Sequence, residues 1–288
     1  MIKTRVFPES NYKGIYFNGK TLRFALDGDK PIQPLEYAEF FDIGINNKCL
    51  ANCEYCYVDA KNTGTNFENI IAKAQAFFGS MTENQKPFQC AIGASGEPTM
   101  HPQFVNFLET LHNLGITPNY TTNGMFIHDR EKLRGKHIFD ILSATKKYCG
   151  GVAFSCHPHL KYYWETAANL FYENKIMINF HNIISDKKSI DDFKEIYECW
   201  KDKVDYFVLL PYGNVGRAPH KEIDWDYLVS VIPENNSNIA FGANFYSYLK
   251  SYKGNKIKAS LYEPHIFSKY ISFEDVEPKI YPSSFEVN

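Results

Sequence analysis

Cys49, Cys53 and Cys56 stand in one short run, Cys49-Leu50-Ala51-Asn52-Cys53-Glu54-Tyr55-Cys56. Three thiolates at this spacing can hold three corners of an iron–sulfur cube, whereas a [4Fe–4S] cluster bound wholly by protein takes four. The loop has no fourth cysteine, so one iron is left for another ligand. A catalytic cluster needs such an open corner and an electron-transfer cluster does not. Other readings fit less well. Structural zinc prefers four ligands with its cysteines in pairs, and no second pair lies nearby. Seven cysteines is an odd count, and 288 residues can build a core without disulfides. Three merely structural buried cysteines would not sit among Asn52 and Glu54.

The elements around this run alternate. Short apolar strands are expected at Phe40–Ile45, Gln89–Ala94, Thr117–Thr122, Val152–Ser155, Ile176–His181 and Tyr206–Leu210, in the manner of buried parallel strands. Helical spacing links Phe67, Ile70, Ile71, Ala74 and Phe78. It also links Phe104, Phe107, Leu108, Leu111 and Leu114, with Pro102 at the start and Gly115 as a C-terminal cap. A third stripe runs through Ile190, Phe193, Ile196, Tyr197 and Trp200, with Ser189 as the expected N-cap. Six βα units predict an α/β fold: a partial (β/α)6, TIM-like barrel on a parallel sheet, with its active site at the carboxyl ends of the strands. The cysteine run follows the first of these strands and so falls on that rim.

Residues 1–38 read as a small N-terminal β-hairpin segment with an Asn18-Gly19 turn. Residues 39–232 form the partial barrel. Residues 233–288 form an irregular, aromatic C-terminal extension with strand-like pieces at Phe267–Phe273 and Lys279–Phe285.

The cysteine run, with Tyr55 just before its last cysteine, resembles the cluster loop of the radical SAM superfamily. Gly93-Ala94-Ser95-Gly96-Glu97-Pro98-Thr99 is similar to the family's Gly-Gly-Glu-Pro motif, with Ser95 in place of the first Gly. Thr121-Thr122-Asn123-Gly124 adds a third likeness, and the resemblance covers residues 39–217. It implies a [4Fe–4S] cluster on Cys49, Cys53 and Cys56 whose free iron chelates S-adenosylmethionine (SAM). Reductive cleavage then yields methionine and a 5′-deoxyadenosyl radical that abstracts hydrogen from a substrate. It further implies SAM contacts at Ser95, Gly96, Glu97, Asn123, Ser155, Asn179 and His181, and substrate contacts at His157 and Arg217. Each of these also has a plain structural reading as a turn, rim or core polar residue. A flavodoxin or ferredoxin would supply the electron.

Glu263–Ile271 and Lys279–Phe285 resemble the SPASM or twitch extension of such enzymes, with Ser283 where a cluster cysteine would stand. No cysteine follows Cys199, so an extension without an auxiliary cluster is expected, closing the side or bottom of the barrel. The tail favours a peptide or protein substrate. A nucleoside-like or other small metabolite is the alternative, and a noncatalytic SAM- or metal-binding regulator is the alternative of another class.

Of the other thiols, Cys90 and Cys199 read as buried hydrophobes, while Cys149 and Cys156 flank a strand. A net charge of −2 gives no ground for nucleic-acid or membrane-surface binding. The start lacks the apolar stretch of a signal peptide, and no apolar run can span a bilayer. A cytoplasmic, oxygen-sensitive protein is expected.

Overall fold

The computed structural model describes residues 2–17, 19–130, 136–213, 216–217, 221–257 and 263–286. Two sheets organise it. The smaller is an antiparallel meander of β1 (Ile2–Phe7), β2 (Tyr12–Phe17) and β3 (Lys20–Ala25). Phe17 pairs with Lys20, so a two-residue turn joins β2 to β3. Gly19 has φ +76° there, and Asn18 lies outside the described residues. The expected hairpin is thus two strands of a three-stranded sheet.

The larger sheet has nine strands. Its centre is a parallel run in sequence order: β4 (Phe40–Gly44), β5 (Gln89–Ile92), β6 (Thr117–Thr122), β7 (Gly151–Ser155), β8 (Ile178–Ile184) and β9 (Tyr206–Pro211). All six expected strands are present, displaced at their ends by at most three residues. β10 (Ile239–Phe241) joins β9 in parallel. β11 (Ser268–Ser272) joins β4 in parallel, and β12 (Lys279–Tyr281) pairs antiparallel with β11. The C-terminal segment therefore extends the sheet beside β4.

Among the described residues the α-helices, in chain order, are α1 (Ile70–Gly79), α2 (Phe104–Asn113), α3 (Lys136–Tyr148), α4 (Lys161–Glu173), α5 (Lys187–Trp200), α6 (Trp225–Val231) and α7 (Tyr246–Ser251). Phe78, Phe107, Trp164, Phe171 and Phe193 from these helices share one core with Ile43, Ile92, Tyr120, Phe154, Phe180 and Phe207 from the strands. Those strand residues lie on one face of the sheet. The alternate residues Asp42, Ala91, Asn119, Thr121, Ser155, Asn179 and His181 lie on the other face and are half-buried. The sheet thus has an apolar face under the helices and a polar face free of them.

Two local expectations change. Asp186, not Ser189, caps α5: its carboxylate accepts the Ser189 N–H at 3.1 Å. The helix starts a turn earlier because Asp186 is the first residue whose side chain can reach an orphan N–H. Cys199 is exposed while Cys90 is buried, because Cys199 falls beside the Tyr197–Trp200 stripe rather than in it.

The small sheet is bound to the amino ends of the large sheet's strands. Arg5 is 1% exposed and donates to the carbonyls of Tyr37, Ala38 and Asn84 at 2.8–2.9 Å. Glu39, just before β4, receives the Arg23 guanidinium at 2.6 Å and the Tyr12 hydroxyl. This buried network lies at the opposite end of the strands from the cysteine loop. Among the described residues no helix is long and apolar enough to cross a membrane.

Candidate active site at the cysteine loop

The cysteine loop leaves the carboxyl end of β4 and is pinned from within. Cys49 N–H donates to Lys61 carbonyl at 3.0 Å, and Cys56 N–H to Cys53 carbonyl at 3.3 Å. Cys53 is buried, while Cys49 and Cys56 are half-buried. Side-chain donors face two of the sulfurs. Asn123 Nδ2 lies 3.6 Å from Cys49 Sγ, and His159 Nε2 lies 3.6 Å from Cys53 Sγ. His159 Nε2 is also 3.2 Å from the Ala51 carbonyl. An atom between a carbonyl oxygen and a sulfur must carry the proton, so Nε2 is the donor.

Burial raises the Cys49 thiol to about 11, with Glu97 adding to the effect. Burial raises Cys53 to about 12, with Cys49 and Cys56 adding to it and Arg217 opposing. The three sulfurs therefore share one electrostatic neighbourhood. Without added positive charge Cys49 and Cys53 are thiols; metal binding would release their protons. No three His, Cys, Asp or Glu side chains among the described residues converge on one ion.

The loop after β5 packs directly on the cysteine loop. Ser95 Oγ donates to the Asn46 carbonyl at 2.6 Å, Glu97 N–H to the Lys48 carbonyl at 2.9 Å, and Asn46 Nδ2 to the Glu97 carbonyl at 2.8 Å. A side chain at Gly96 would put its Cβ 2.8 Å from the Asn46 carbonyl and 2.9 Å from that of Lys48. Only glycine allows this approach.

Glu97 is 4% exposed and turned inward. It accepts from Thr99 N–H (3.2 Å), Thr99 Oγ1 (2.6 Å), Thr122 Oγ1 (2.7 Å) and Asn123 N–H (2.9 Å). Burial still holds its carboxyl above the usual range. Its side chain is thus a brace between loops, and the backbone of residues 95–97 forms the surface beside Cys49.

The rim of β7 closes on the other side. Tyr55 hydroxyl is 3.1 Å from His157 Nδ1, and Tyr55 packs against Tyr212 with ring centres 6.2 Å apart. Burial lowers His157 to about 3, with His159 and His181 adding to the effect, and lowers His181 to about 4. Both rings are neutral near pH 7. Ser155 and His181 are register partners, as are Ala153 and Asn179. Among the described residues Asn179 Oδ1 is buried without a hydrogen-bond partner.

Arg217 is engaged with the cysteine loop. Its N–H donates to Cys56 carbonyl at 3.1 Å, Nη2 to Ala60 carbonyl at 3.1 Å, and Nε lies 3.3 Å from Asp59. These contacts hold Arg217 against the cysteine loop. Gly216, at φ +66°, passes so close to the Cys56 and Tyr57 carbonyls that a side chain would collide with them. Asn214 and Val215 of the same stretch lie outside the described residues.

Sequence reasoning gave Tyr57 no role and read His159 only as a rim residue facing substrate or capping the next helix. Tyr57 hydroxyl donates to Ala94 carbonyl at 3.1 Å and meets Ser284 Oγ at 3.2 Å, and its ring stacks on Phe285 at 4.4 Å. The C-terminal tail therefore seals the seam between the cysteine loop and the Ser95 loop. Ser283 makes a turn there, receiving Phe285 N–H at 3.3 Å.

No family model matches the chain. It is 28% identical over 143 residues to the S-adenosyl-L-methionine-dependent tRNA 4-demethylwyosine synthase of Methanocaldococcus jannaschii, covering 46% of this chain and 43% of that protein. SuiB of Streptococcus suis bound to its precursor peptide SuiA, a radical SAM protein, superposes with TM-score 0.63 at 17% identity, over 88% of this chain and 64% of SuiB. The chain carries the radical SAM fold. The anSMEcpe structure with bound AdoMet and the Cp18Cys peptide shares this radical SAM fold, with TM-score 0.55 at 14% identity, over 86% of this chain and 75% of that one. The chain spans less than half the curated relative and about two thirds of SuiB. Within this fold Asn123 links Cys49 to Glu97, Ser95 and Gly96 pack on Asn46 and Lys48, and Cys53, His159 and His157 form a second linked group.

Proposed function

We propose that this chain is a radical SAM enzyme. Cys49, Cys53 and Cys56 would hold a [4Fe–4S] cluster, and residues 95–97 with Asn123, Ser155, Asn179 and His181 would border SAM. One observation carries the reading: of three thiols on the loop after β4, Cys49 and Cys53 face N–H donors from Asn123 and His159, and the loop itself packs against the Ser95–Glu97 loop. When bound, the reduced cluster supplies the electron that splits SAM into methionine and a 5′-deoxyadenosyl radical able to take hydrogen from the substrate.

The chain's own residues set the conditions. Asn123 and His159 offset thiolate charge by donating to sulfur. Tyr55, Tyr57 and Tyr212 keep water from the loop, which protects a radical from quenching. Neutral His157 and His181 add no charge beside the cationic sulfonium, and the free Asn179 Oδ1 is an acceptor for a hydroxyl or amide N–H. The helix-free face of the sheet receives the substrate. Residues 39–232 are the catalytic unit, with 1–38 and 233–288 as flanking segments; the site is cytoplasmic and fed by a flavodoxin- or ferredoxin-type donor.

A peptide or protein is the favoured substrate, because both SuiB and anSMEcpe superpose in peptide-bound form. A nucleoside-like substrate is the second reading, supported by the tRNA-modifying relative. Anaerobic reconstitution tests the cluster. The wild type should take up about four irons and four sulfides per chain, and Cys53→Ala should take up neither stably. Zinc without sulfide in the wild type would refute the assignment.

A further inference from the structure

One ionisable group on the helix-free face is used by neither loop. Asp42 lies mid-way along β4, the strand that leads into the cysteine loop. Its neighbours Phe41 and Ile43 are buried in the core under the helices, so strand alternation turns Asp42 to the polar face. In register it stands between Ala91 of β5 and Tyr270 of β11.

Among the described residues its carboxylate accepts no hydrogen bond and meets no cation; burial alone lifts it to about 7. The ionisable groups within its reach are Tyr57 and Cys90, both uncharged when protonated. Tyr270 turns its hydroxyl to Ser95 and Ser272 instead. Lys61 and Arg217, which pack at the cysteine loop, are held by Asp59. A carboxylate drawn out of water with no partner is costly to the fold. A packing role needs no acid, and a bracing role would show bonds like those of Glu97. Its register neighbour Ala91 is small, and the Asp42 side chain is half-buried on the helix-free face.

We propose that Asp42 anchors a cationic group of the substrate, an alkylammonium or guanidinium of the kind carried by lysine and arginine side chains. This rests on the reading that the helix-free face receives substrate. Such a group would bring N–H donors to two oxygens that have none and would cancel the buried charge. The nearby tyrosine also favours a cation over an anion.

The test is calorimetric titration at pH 8 with N-acetyl-lysine amide and N-acetyl-arginine amide, against the neutral isostere N-acetyl-norleucine amide. It uses the full chain, both free of cluster and loaded with cluster and SAM. At least one cationic probe should bind ten-fold or more tighter than the neutral one, and Asp42→Asn should erase the difference. In the wild type, saturation with that probe should lower the Asp42 carboxyl titration seen by carbon NMR by more than one pH unit, a readout that needs no variant. Equal binding of all probes, or a preference that survives Asp42→Asn, overturns the inference. A cation preference in a chain that assembles no cluster would remove the proposed function and leave the Asp42 site standing. A loaded, SAM-cleaving chain with no preference would do the reverse.

Discussion

Glu97 Oε2 accepts the backbone N–H of Asn123 across 2.9 Å and so ties the loop after β5 to the loop after β6. Asn123 in turn directs its side-chain amide at Cys49 Sγ. A carboxylate in a motif associated with SAM binding is thus spent, as a side chain, on holding two loops in register. Glu97→Ala would leave buried donors of Thr99, Thr122 and Asn123 unsatisfied and should cost about 3–5 kcal/mol of stability. Glu97→Gln, which keeps the acceptor oxygen, should cost less than half as much. Denaturant melts of the two variants check this; equal losses would show that the carboxylate bonds do not matter.

His159 donates toward Cys53 Sγ from 3.6 Å. A hydrogen bond to a cluster sulfur stabilises the more negative, reduced state. His159→Phe should therefore still load iron and sulfide but show a more negative midpoint potential, by on the order of tens of millivolts. An EPR-monitored redox titration reads it, and an unchanged potential would remove His159 from the sulfur's surroundings.

The Phe285 ring stacks on Tyr57 at 4.4 Å, next to Cys56. Phe285→Ala should lower the melting temperature by about 2–4 °C, the effect of losing about 1 kcal/mol in a chain of this size. It should also speed loss of the cluster's visible absorbance in air, because water and oxygen gain a path to the loop. Bleaching at the wild-type rate would show that the tail does not shield it.

Asp42 gives a pH dependence of definite sign. Its carboxyl sits at about 7 in the fold, against about 3.9 in an unfolded chain. The fold therefore favours the protonated form. For this group stability is greatest below about pH 4 and falls as pH rises through 7, by at most about 4 kcal/mol. Asp42→Asn should stabilise the protein at pH 8 and leave it unchanged at pH 4. The same stability gain at both pH values would contradict the buried, unpaired carboxylate.

The six central strands were legible because buried parallel strands are short apolar runs between helices with clear stripes, as at Phe104–Leu111. The cysteine loop was legible because thiol spacing is written in sequence. The role of the Glu97 side chain was not, because its partners Thr122 and Asn123 come from another strand's loop, and nothing local says that they meet. His159 was visible only as a rim histidine, since its approach to Cys53 spans 106 residues of sequence. Asp42 hid inside an apolar strand, where one acid reads as noise until register shows which face it occupies. The hold of Arg217 on Asp59 and Ala60 was not legible, because it depends on how the loops pack.

The most direct test of the account is to give the anaerobically reconstituted chain dithionite and SAM and measure 5′-deoxyadenosine by mass spectrometry, with Cys53→Ala as the control. The account predicts 5′-deoxyadenosine from the wild type and none above background from the variant. Equal amounts from both, or none from a wild type carrying a full cluster together with its substrate, would contradict it.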